Sequence, residues 1–341
     1  MKLKIGKVII SDQNPTRTIA EAAVEHLGSL NVAKKMALTA KHVGADFIKY
    51  QMHIPNEEML PNKIKFWGGS LDEILDKNNL TIKDHIELKN YCKKIGIEYL
   101  CTPFSPKAVD ILDKIGVNAF KTGSGEMMNY SIIDKIIKTK KPLLMSTGMS
   151  SVNEIDEIIN YLKIKKTNFL VLNCTSIYPC PYDKVNLGFI NLLKKKYNIL
   201  VGHSDHTPDF WTAVGASCKG AAIIEKHFTL SRELKGPDYQ VSLEPKEFQS
   251  MVRAINLIHK ASKSKKFLLK DEKTVQKWAR HSIVSKISIK KGEKLKNKNF
   301  TVKRPGTGIP AKYLKNLKNF IAKKNIKKNT SINWSDIKLF K

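Results

Sequence analysis

Arginine is the scarcest charged residue of this chain: of 60 basic residues only Arg17, Arg232, Arg253, Arg280 and Arg304 carry a guanidinium, and the rest are lysine. Groove readers and phosphate clamps on nucleic acid favour the guanidinium fork, so the net charge of +29 does not by itself point to that partner. Nor is the charge evenly spread. Residues 260 to 341 hold 25 basic and 4 acidic residues, a net +21 that leaves +8 for the first 259. The excess reads as lysine on solvated faces at one end of the chain. Cysteine is also scarce. Cys92, Cys101, Cys174, Cys180 and Cys218 are odd in number and never form CxxC, which excludes a disulfide framework and a cysteine-based zinc site. No apolar run approaches the roughly 18 residues of a membrane span. The opening MKLKIGKVII is too short for a signal h-region with a cleavage site. The expectation is a soluble, cytoplasmic protein that binds neither membrane nor nucleic acid.

What is present is a hydrophobic fraction of 42% in 341 residues, enough for a sizeable core. The length suits one barrel of about 250 residues with an appendix. After a strand-like start at Lys4 to Ile10, a short N-terminal strand or hairpin, eight β-type runs alternate with helix-period segments. The runs are TIAEAAVEH (18 to 26), ADFIKYQ (45 to 51), IEYLCT (97 to 102), NAFKTGS (118 to 124), KPLLMST (141 to 147), NFLVLNCT (168 to 175), NILVGHS (198 to 204) and AAIIEKHFT (221 to 229). Amphipathic stretches such as SPKAVDILDKIG and NEIDEIINYLKI lie between them. Eight βα units in a row predict an α/β fold, a closed (β/α)8 TIM barrel over residues 1–262. An open doubly wound sheet would want a glycine-rich phosphate turn after an early strand, and EHLGS is not GxGxxG. The second unit carries a long insertion, His53 to Asp84, including FWGGS, and loops of that length are often lids. The last barrel helix is expected over Lys246 to Ser262, a lysine-rich linker over 263–280, and a small β-rich domain over 281–341.

Barrel chemistry sits where strands end. Polar residues are dense there: Glu21, Glu25 and His26; Lys49 and Gln51; Thr102; Lys121, Ser124 and Glu126; Ser146 and Thr147; Asn173, Thr175, Ser176 and Tyr178; His203, Ser204, Asp205 and His206; Lys226 and His227. His206 and His227 are one βα unit apart and project into the same mouth. Imidazoles suit manganese, iron, cobalt or zinc, and two of them leave positions open for water and substrate oxygens; each also fits a plain hydrogen-bonding role. Lys49 and Lys121, with Thr102, Ser124, Ser146 and Ser204, form a ring of donors suited to a small phosphorylated carboxylate. A strand-end lysine equally fits a Schiff-base aldolase. Glu126, at an apolar strand end, suits proton transfer. A basic polyanion-binding barrel is a third reading, and it explains none of these strand-end residues.

The motifs AEAAVEHLGSLNVAKKM, IKYQ, CTPFS, FKTGSGE, STGMSS, LNCTSIYPCP, VGHSDHT, EKHFTL, KGPDYQVS and VKRPGTGIP occur in the order and spacing of one family. Over nearly its whole length the chain resembles the sialic acid synthase (N-acetylneuraminate synthase) family. The resemblance implies a phosphoenolpyruvate-condensing enzyme, with a barrel followed by a C-terminal SAF (antifreeze-like, β-clip) domain. It also implies a domain-swapped homodimer in which the small domain of one chain caps the barrel of the other. His206 and His227 match the ligands of a divalent metal, manganese first and magnesium second. Lys49, Thr102, Lys121, Ser124, Ser146 and Ser204 match positions that hold phosphoenolpyruvate. Gln51, Ser176, Tyr178 and Asp238 match the acceptor-sugar side, and Arg304 the arginine delivered across the dimer. Glu21 and Glu126 match the acidic residues that handle protons and the attacking water. Three positions depart: Glu25 stands where the family has Asn, Ser176 where N-acetylneuraminate synthases have Asn, and Cys101 where Ser is common. The first two bear on the acceptor, because CTSIYP also occurs in the sister synthases for legionaminic and pseudaminic acids.

Overall fold

The computed structural model describes residues 1–60, 65–66, 69–262 and 265–340. Its contacts divide the chain into two units, Met1–Lys263 and Ser264–Lys341.

The first unit opens with an antiparallel hairpin, β1 (Lys2–Ile5) and β2 (Val8–Ser11). The parallel strands β3 (Arg17–Ala23) and β4 (Phe47–Met52) follow, then a two-residue pair, β5 (Lys65–Phe66) and β6 (Gly69–Ser70). Six more parallel strands complete the sheet: β7 (Glu98–Pro103), β8 (Phe120–Thr122), β9 (Leu143–Ser146), β10 (Phe169–Cys174), β11 (Val201–Asp205) and β12 (Ile223–His227). The ladder runs β7-β4-β3-β12-β11-β10-β9-β8, and its two ends lie beside each other, so the sheet is a nearly closed TIM-like barrel. Each of the eight runs named from sequence overlaps one strand. The sequential, all-parallel order excludes the open doubly wound alternative.

Helices α1 (Leu30–His42), α2 (Pro55–Glu58), α3 (Leu71–Asn78), α4 (Ile82–Ile95), α5 (Pro106–Ile115), α6 (Tyr130–Lys138), α7 (Val152–Ile164), α8 (Gly188–Tyr197), α9 (Trp211–Cys218) and α10 (Pro245–Ala261) connect the strands. Their ends are written in the sequence. Ser105 caps α5 through the Ala108 amide, Pro106 occupies its first position, and Gly116 ends it in the left-handed region. Thr81 with Asp84 and Ser151 with Glu154 form capping boxes for α4 and α7. In α7 the buried Ile155, Ile158, Ile159 and Leu162 repeat at helical spacing and pack on the barrel's outer wall. The insertion after β4 contains α2, β5, β6 and α3; of its FWGGS motif, Trp67 and Gly68 lie outside the described residues, as do Lys263 and Ser264 of the linker.

A second core fills the barrel's interior. Leu3, Ile5 and Ile10 of the hairpin pack with Ile19, Phe47, Leu100, Leu144, Leu170 and Leu172 and plug the N-terminal end. The strand or hairpin expected at the N-terminus is a hairpin, two strands turning at Gly6, whose φ is +54°. Glycine at the first position of a two-residue turn is the usual hairpin choice. One end of the barrel is thus apolar and closed, and polar side chains are left to the C-terminal end of the strands.

The second unit contains α11 (Glu272–Ala279) and two antiparallel pairs, β13 (Ser282–Ser285) with β14 (Phe300–Lys303) and β15 (Phe320–Ala322) with β16 (Ile337–Leu339). Ile283, Ile289, Leu295, Phe300, Ile309, Leu317, Ile326, Ile332 and Ile337 form its own core. Among the described residues no helix is long and apolar enough to cross a membrane.

Candidate active site

Strand register assembles the site. His227 of β12 pairs with Glu21 of β3, and Glu21 with Lys49 of β4, so three functional side chains stand in one row across neighbouring strands. Directly after Glu21 the β3–β4 ladder shifts register, a bulge of the kind that re-aims side chains beside active sites. A second row runs through Cys174, Ser204 and Glu225. These rows open on a cavity of about 570 Å³ at the C-terminal end of the strands, well within the range of small-molecule sites.

Fourteen of the fifteen residues singled out from sequence line this cavity: Glu21, Lys49, Gln51, Thr102, Lys121, Ser124, Glu126, Ser146, Ser176, Tyr178, Ser204, His206, His227 and Asp238. Arg304 belongs to the second unit, where its Nε donates to Ala279 O at 3.1 Å and its guanidinium lies 5.6 Å from the Trp278 ring centre. Glu225, His53, Glu58 and Cys174 also line the cavity and were not singled out. Strand alternation is the signal that finds Glu225, because it shares an inward face with His227. The same alternation removes other strand-end candidates from the site. Lys226 turns away to pair with Asp205 at 2.6 Å, and His203 bonds the same carboxylate at 3.1 Å, so these three form a buried prop behind the barrel wall.

Two lysines dominate the floor. Lys49 Nζ lies 2.6 Å from Glu21 Oε2 and donates to Thr102 Oγ1 at 3.0 Å. Lys121 Nζ donates to Ser146 Oγ at 2.7 Å and Thr122 O at 2.8 Å. Glu225 sits between them, 3.6 Å from Lys121 and 3.8 Å from Lys49, and accepts from Ser204 Oγ at 3.0 Å. All four ionisable groups are buried. Burial pushes Glu21 up to about 7 against the pull of Lys49. For Glu225 burial acts the same way, but the two ammonium groups outweigh it and hold the carboxyl below its ordinary value. Burial lowers Lys121, whereas at Lys49 the two carboxylates overcome burial and raise it. An acidic ligand entering here competes with Glu21 and Glu225 for cations already in place. Glu126, raised by burial, has an Oε2 without a hydrogen-bond partner and faces the same space.

The imidazoles stand nearer the mouth: His206 directly follows β11 and His227 ends β12, each two residues beyond Ser204 and Glu225. The rings of His206 and His227 are 5.4 Å apart, and Tyr178 stacks on His206 at 4.0 Å. His206 Nδ1 donates to Thr175 O at 2.8 Å, which fixes the tautomer and leaves the Nε2 lone pair as the donor atom. His227 Nδ1 is buried without a hydrogen-bond partner, 3.5 Å from Asp238 Oδ2. Among the described residues no group of three or more His, Cys, Asp or Glu converges on one point. Two oriented imidazoles with few competing partners fit a divalent cation whose remaining positions go to water or substrate oxygen.

Glu25, the departure noted above, is placed behind the loop that carries Asp238. Its Oε1 accepts from the Asp238 amide at 2.7 Å and its Oε2 has no hydrogen-bond partner. A Cβ at Gly236 would fall 2.4 Å from that carboxylate, so glycine lets the loop and the Glu25 carboxyl approach as closely as they do. Burial raises Glu25 to about 7. A carboxyl whose folded value exceeds its unfolded one favours the folded state at low pH and loses that contribution as pH rises from about 4.5 to about 7. Glu25→Gln keeps an acceptor for Asp238 and removes the titration. The variant is expected to match wild type near pH 4.5 and to exceed it by about 3 kcal/mol at pH 8, read from denaturant midpoints at both pH values. Parallel curves for the two proteins would mean that Glu25 ionises freely in the folded state.

A closed parallel barrel with buried lysines, carboxylates and paired imidazoles at its open mouth defines a barrel enzyme. A family model described as NeuB family matches residues 36–267, and one described as SAF domain matches residues 280–338. The N,N'-diacetyllegionaminic acid synthase of Campylobacter jejuni is 38% identical over 93% of this chain and 98% of its own length. The human N-acetylneuraminate-9-phosphate synthase is 33% identical over 86% of this chain and 84% of its own. The crystal structure of the N-acetylneuraminic acid synthetase of Leptospira borgpetersenii superposes with a TM-score of 0.74 at 30% identity, covering 81% of this chain and 95% of that one. The chain belongs to the NeuB family: it is a nonulosonic acid synthase, a transferase with a TIM-like barrel and a C-terminal SAF domain.

Proposed function

We propose that this chain condenses phosphoenolpyruvate with an open-chain N-acetylated hexose, releasing phosphate and a nine-carbon 2-keto sugar acid, with N-acetylmannosamine as acceptor and N-acetylneuraminate as product. The observation that carries the reading is the gathering of two donor sets in one cavity: Lys49 and Lys121 with Thr102, Ser124, Ser146 and Ser204, and the imidazoles of His206 and His227. The lysines hold the two anionic ends of phosphoenolpyruvate and fix its direction. A divalent metal, manganese first and magnesium second, would be held by His206 and His227 and supplies Lewis-acid polarisation of the acceptor's aldehyde oxygen. C3 of phosphoenolpyruvate attacks the aldehyde carbon, water adds at C2, and the tetrahedral intermediate loses phosphate by C–O cleavage. Glu21 and Glu126, both raised by burial, are suited to hold and return the protons of the aldehyde oxygen and the attacking water. The enzyme acts in the cytoplasm as a domain-swapped homodimer, with Arg304 of one chain meeting the N-acyl group in the other.

A second acceptor class has its own support. Ser176 lines the cavity at the position where N-acetylneuraminate synthases have the longer Asn, which favours an acceptor with a bulkier substituent on that side. A 2,4-diacetamido-hexose would make the chain a legionaminic or pseudaminic acid synthase. The deciding assay is phosphate release from phosphoenolpyruvate with N-acetylmannosamine, its 6-phosphate and 2,4-diacetamido-hexoses, each with and without EDTA. One acceptor is expected to stand at least about tenfold above the others in kcat/KM, with EDTA abolishing release. Oxygen-18 placed in the bridging C–O position is expected to leave with phosphate; label retained in the sugar acid would refute C–O cleavage.

A further inference from the structure

Behind Glu21 lies a chain of buried hydrogen bonds that the proposed reaction does not use. Glu21 Oε1 accepts from Gln51 Nε2 at 3.1 Å, and Gln51 Oε1 meets His53 Nε2 at 2.9 Å. His53 Nδ1 donates to Glu58 Oε1 at 2.8 Å, and the Ile54 amide donates to Glu58 Oε2 at 3.1 Å. Both outer members are enclosed, with side-chain exposures of 7% for His53 and 4% for Glu58. The imidazole is held in its plane by Phe104, which stacks on it at 4.2 Å and 14°, and its backbone carbonyl accepts from Asn79 Nδ2 at 2.8 Å.

We infer that His53 and Glu58 are positioning residues of this site: they set which end of the Gln51 amide faces Glu21. An amide is nearly symmetric in shape, and only its partners decide its orientation. Turned over, Gln51 would present its carbonyl to the Glu21 carboxyl at about 3 Å, acceptor against acceptor, and its NH2 would be withdrawn from Glu21. His53, with a hydrogen on each ring nitrogen, prevents this by donating Nε2–H to the Gln51 oxygen, and Glu58 prevents the ring from turning by accepting Nδ1–H. The first turn after β4, helix α2, is thereby wired to the carboxyl that pairs with Lys49. The inference rests on the proposed condensation, in which Gln51 meets the acceptor and Glu21 handles its proton.

Three substitutions separate positioning from support. Gln at 53 places an amide nitrogen near the position of Nε2, Asn places one near Nδ1, and Phe keeps the stacking on Phe104 with neither. The inference expects His53→Phe and His53→Asn to lower kcat/KM for the acceptor by about tenfold to a hundredfold, and His53→Gln to stay within about threefold of wild type. Phosphoenolpyruvate affinity, measured by calorimetry without acceptor, is expected to stay within about threefold throughout, because Lys121 and Ser146 lie outside the chain and Lys49 pairs with Glu21 Oε2, not with the Oε1 that Gln51 bonds. Equal losses in all three variants, or loss of donor affinity in step with acceptor use, would show mere structural support and overturn the inference. Unchanged kinetics in His53→Phe would overturn it as well. A wild-type chain that releases no phosphate with any acceptor overturns the condensation and this inference together, and so is distinguishable from failure of the inference alone.

Discussion

Lys121→Met is expected to lower turnover by about a hundredfold to a thousandfold and to cost about 3–5 kcal/mol of stability. Methionine fills much the same volume, so the loss is of charge and not of packing. Lys121 is 2% exposed, and its ammonium faces the buried Glu225 at 3.6 Å. Without it Glu225 keeps Ser204 and a Lys49 at 3.8 Å that is already committed to Glu21 at 2.6 Å. Removing one partner of a buried pair leaves an uncompensated charge, and that is the larger part of the stability cost. The double variant Lys121→Met with Glu225→Gln is therefore expected to recover most of the thermal midpoint and none of the turnover. If the double variant is as unstable as the single one, Lys121 supports the fold by some means other than its charge. The same residue tests the aldolase alternative. Nζ is engaged by Ser146 and Thr122, and phosphoenolpyruvate chemistry needs it as a cation. Borohydride with pyruvate is expected to leave the enzyme active, whereas a Schiff-base lysine would be trapped irreversibly.

The barrel was legible because each strand is a short apolar run bounded by turn residues, and each helix carries its own caps and apolar stripe. Ser105-Pro106 and Gly116, for example, mark both ends of α5 before any tertiary contact is considered. The site was legible for a related reason: a barrel's interior tolerates lysines, carboxylates and hydroxyls at strand ends only where they meet one another or a ligand. What the strand-end rule alone misjudged was direction. It grouped Lys226 with His227 and Asp205 with His206, although successive residues face opposite sides of the wall, and it passed over Glu225, which lies two residues before the strand's end. His53 and Glu58 were hidden for a different reason. They belong to the insertion, where no period links sequence to position, and their closeness to Gln51 depends on the turn into α2. A strand or hairpin was legible at the N-terminus, but that it plugs the barrel was not, because this depends on packing with Ile19, Phe47 and Leu100 that no local pattern shows.

His206→Asn is expected to reduce phosphate release by at least about a thousandfold while leaving the fold intact. The substitution is chosen for what it keeps. Asn places an amide nitrogen near the position of Nδ1, so the bond to Thr175 O at 2.8 Å survives and only Nε2 is deleted. Part of the contact with Tyr178, which stacks on the ring at 4.0 Å, is lost as well, but such contacts are worth only about 0.5–1.5 kcal/mol. A stability effect of that size cannot account for a thousandfold fall in rate, which corresponds to about 4 kcal/mol. Chelation supplies the matching experiment. EDTA is expected to bring wild type down to the level of the variant, manganese to restore wild type, and no concentration of manganese to restore His206→Asn. Equilibrium dialysis reads the same point without turnover: about one manganese retained per wild-type chain, and at least about tenfold weaker retention when either His206 or His227 is replaced, since among the described residues no group of three or more His, Cys, Asp or Glu converges on one point. If His206→Asn keeps activity within about tenfold and is indifferent to EDTA, the imidazoles act as hydrogen-bonding partners. Polarisation of the acceptor then falls to the remaining cations of the cavity, Lys49 and Lys121.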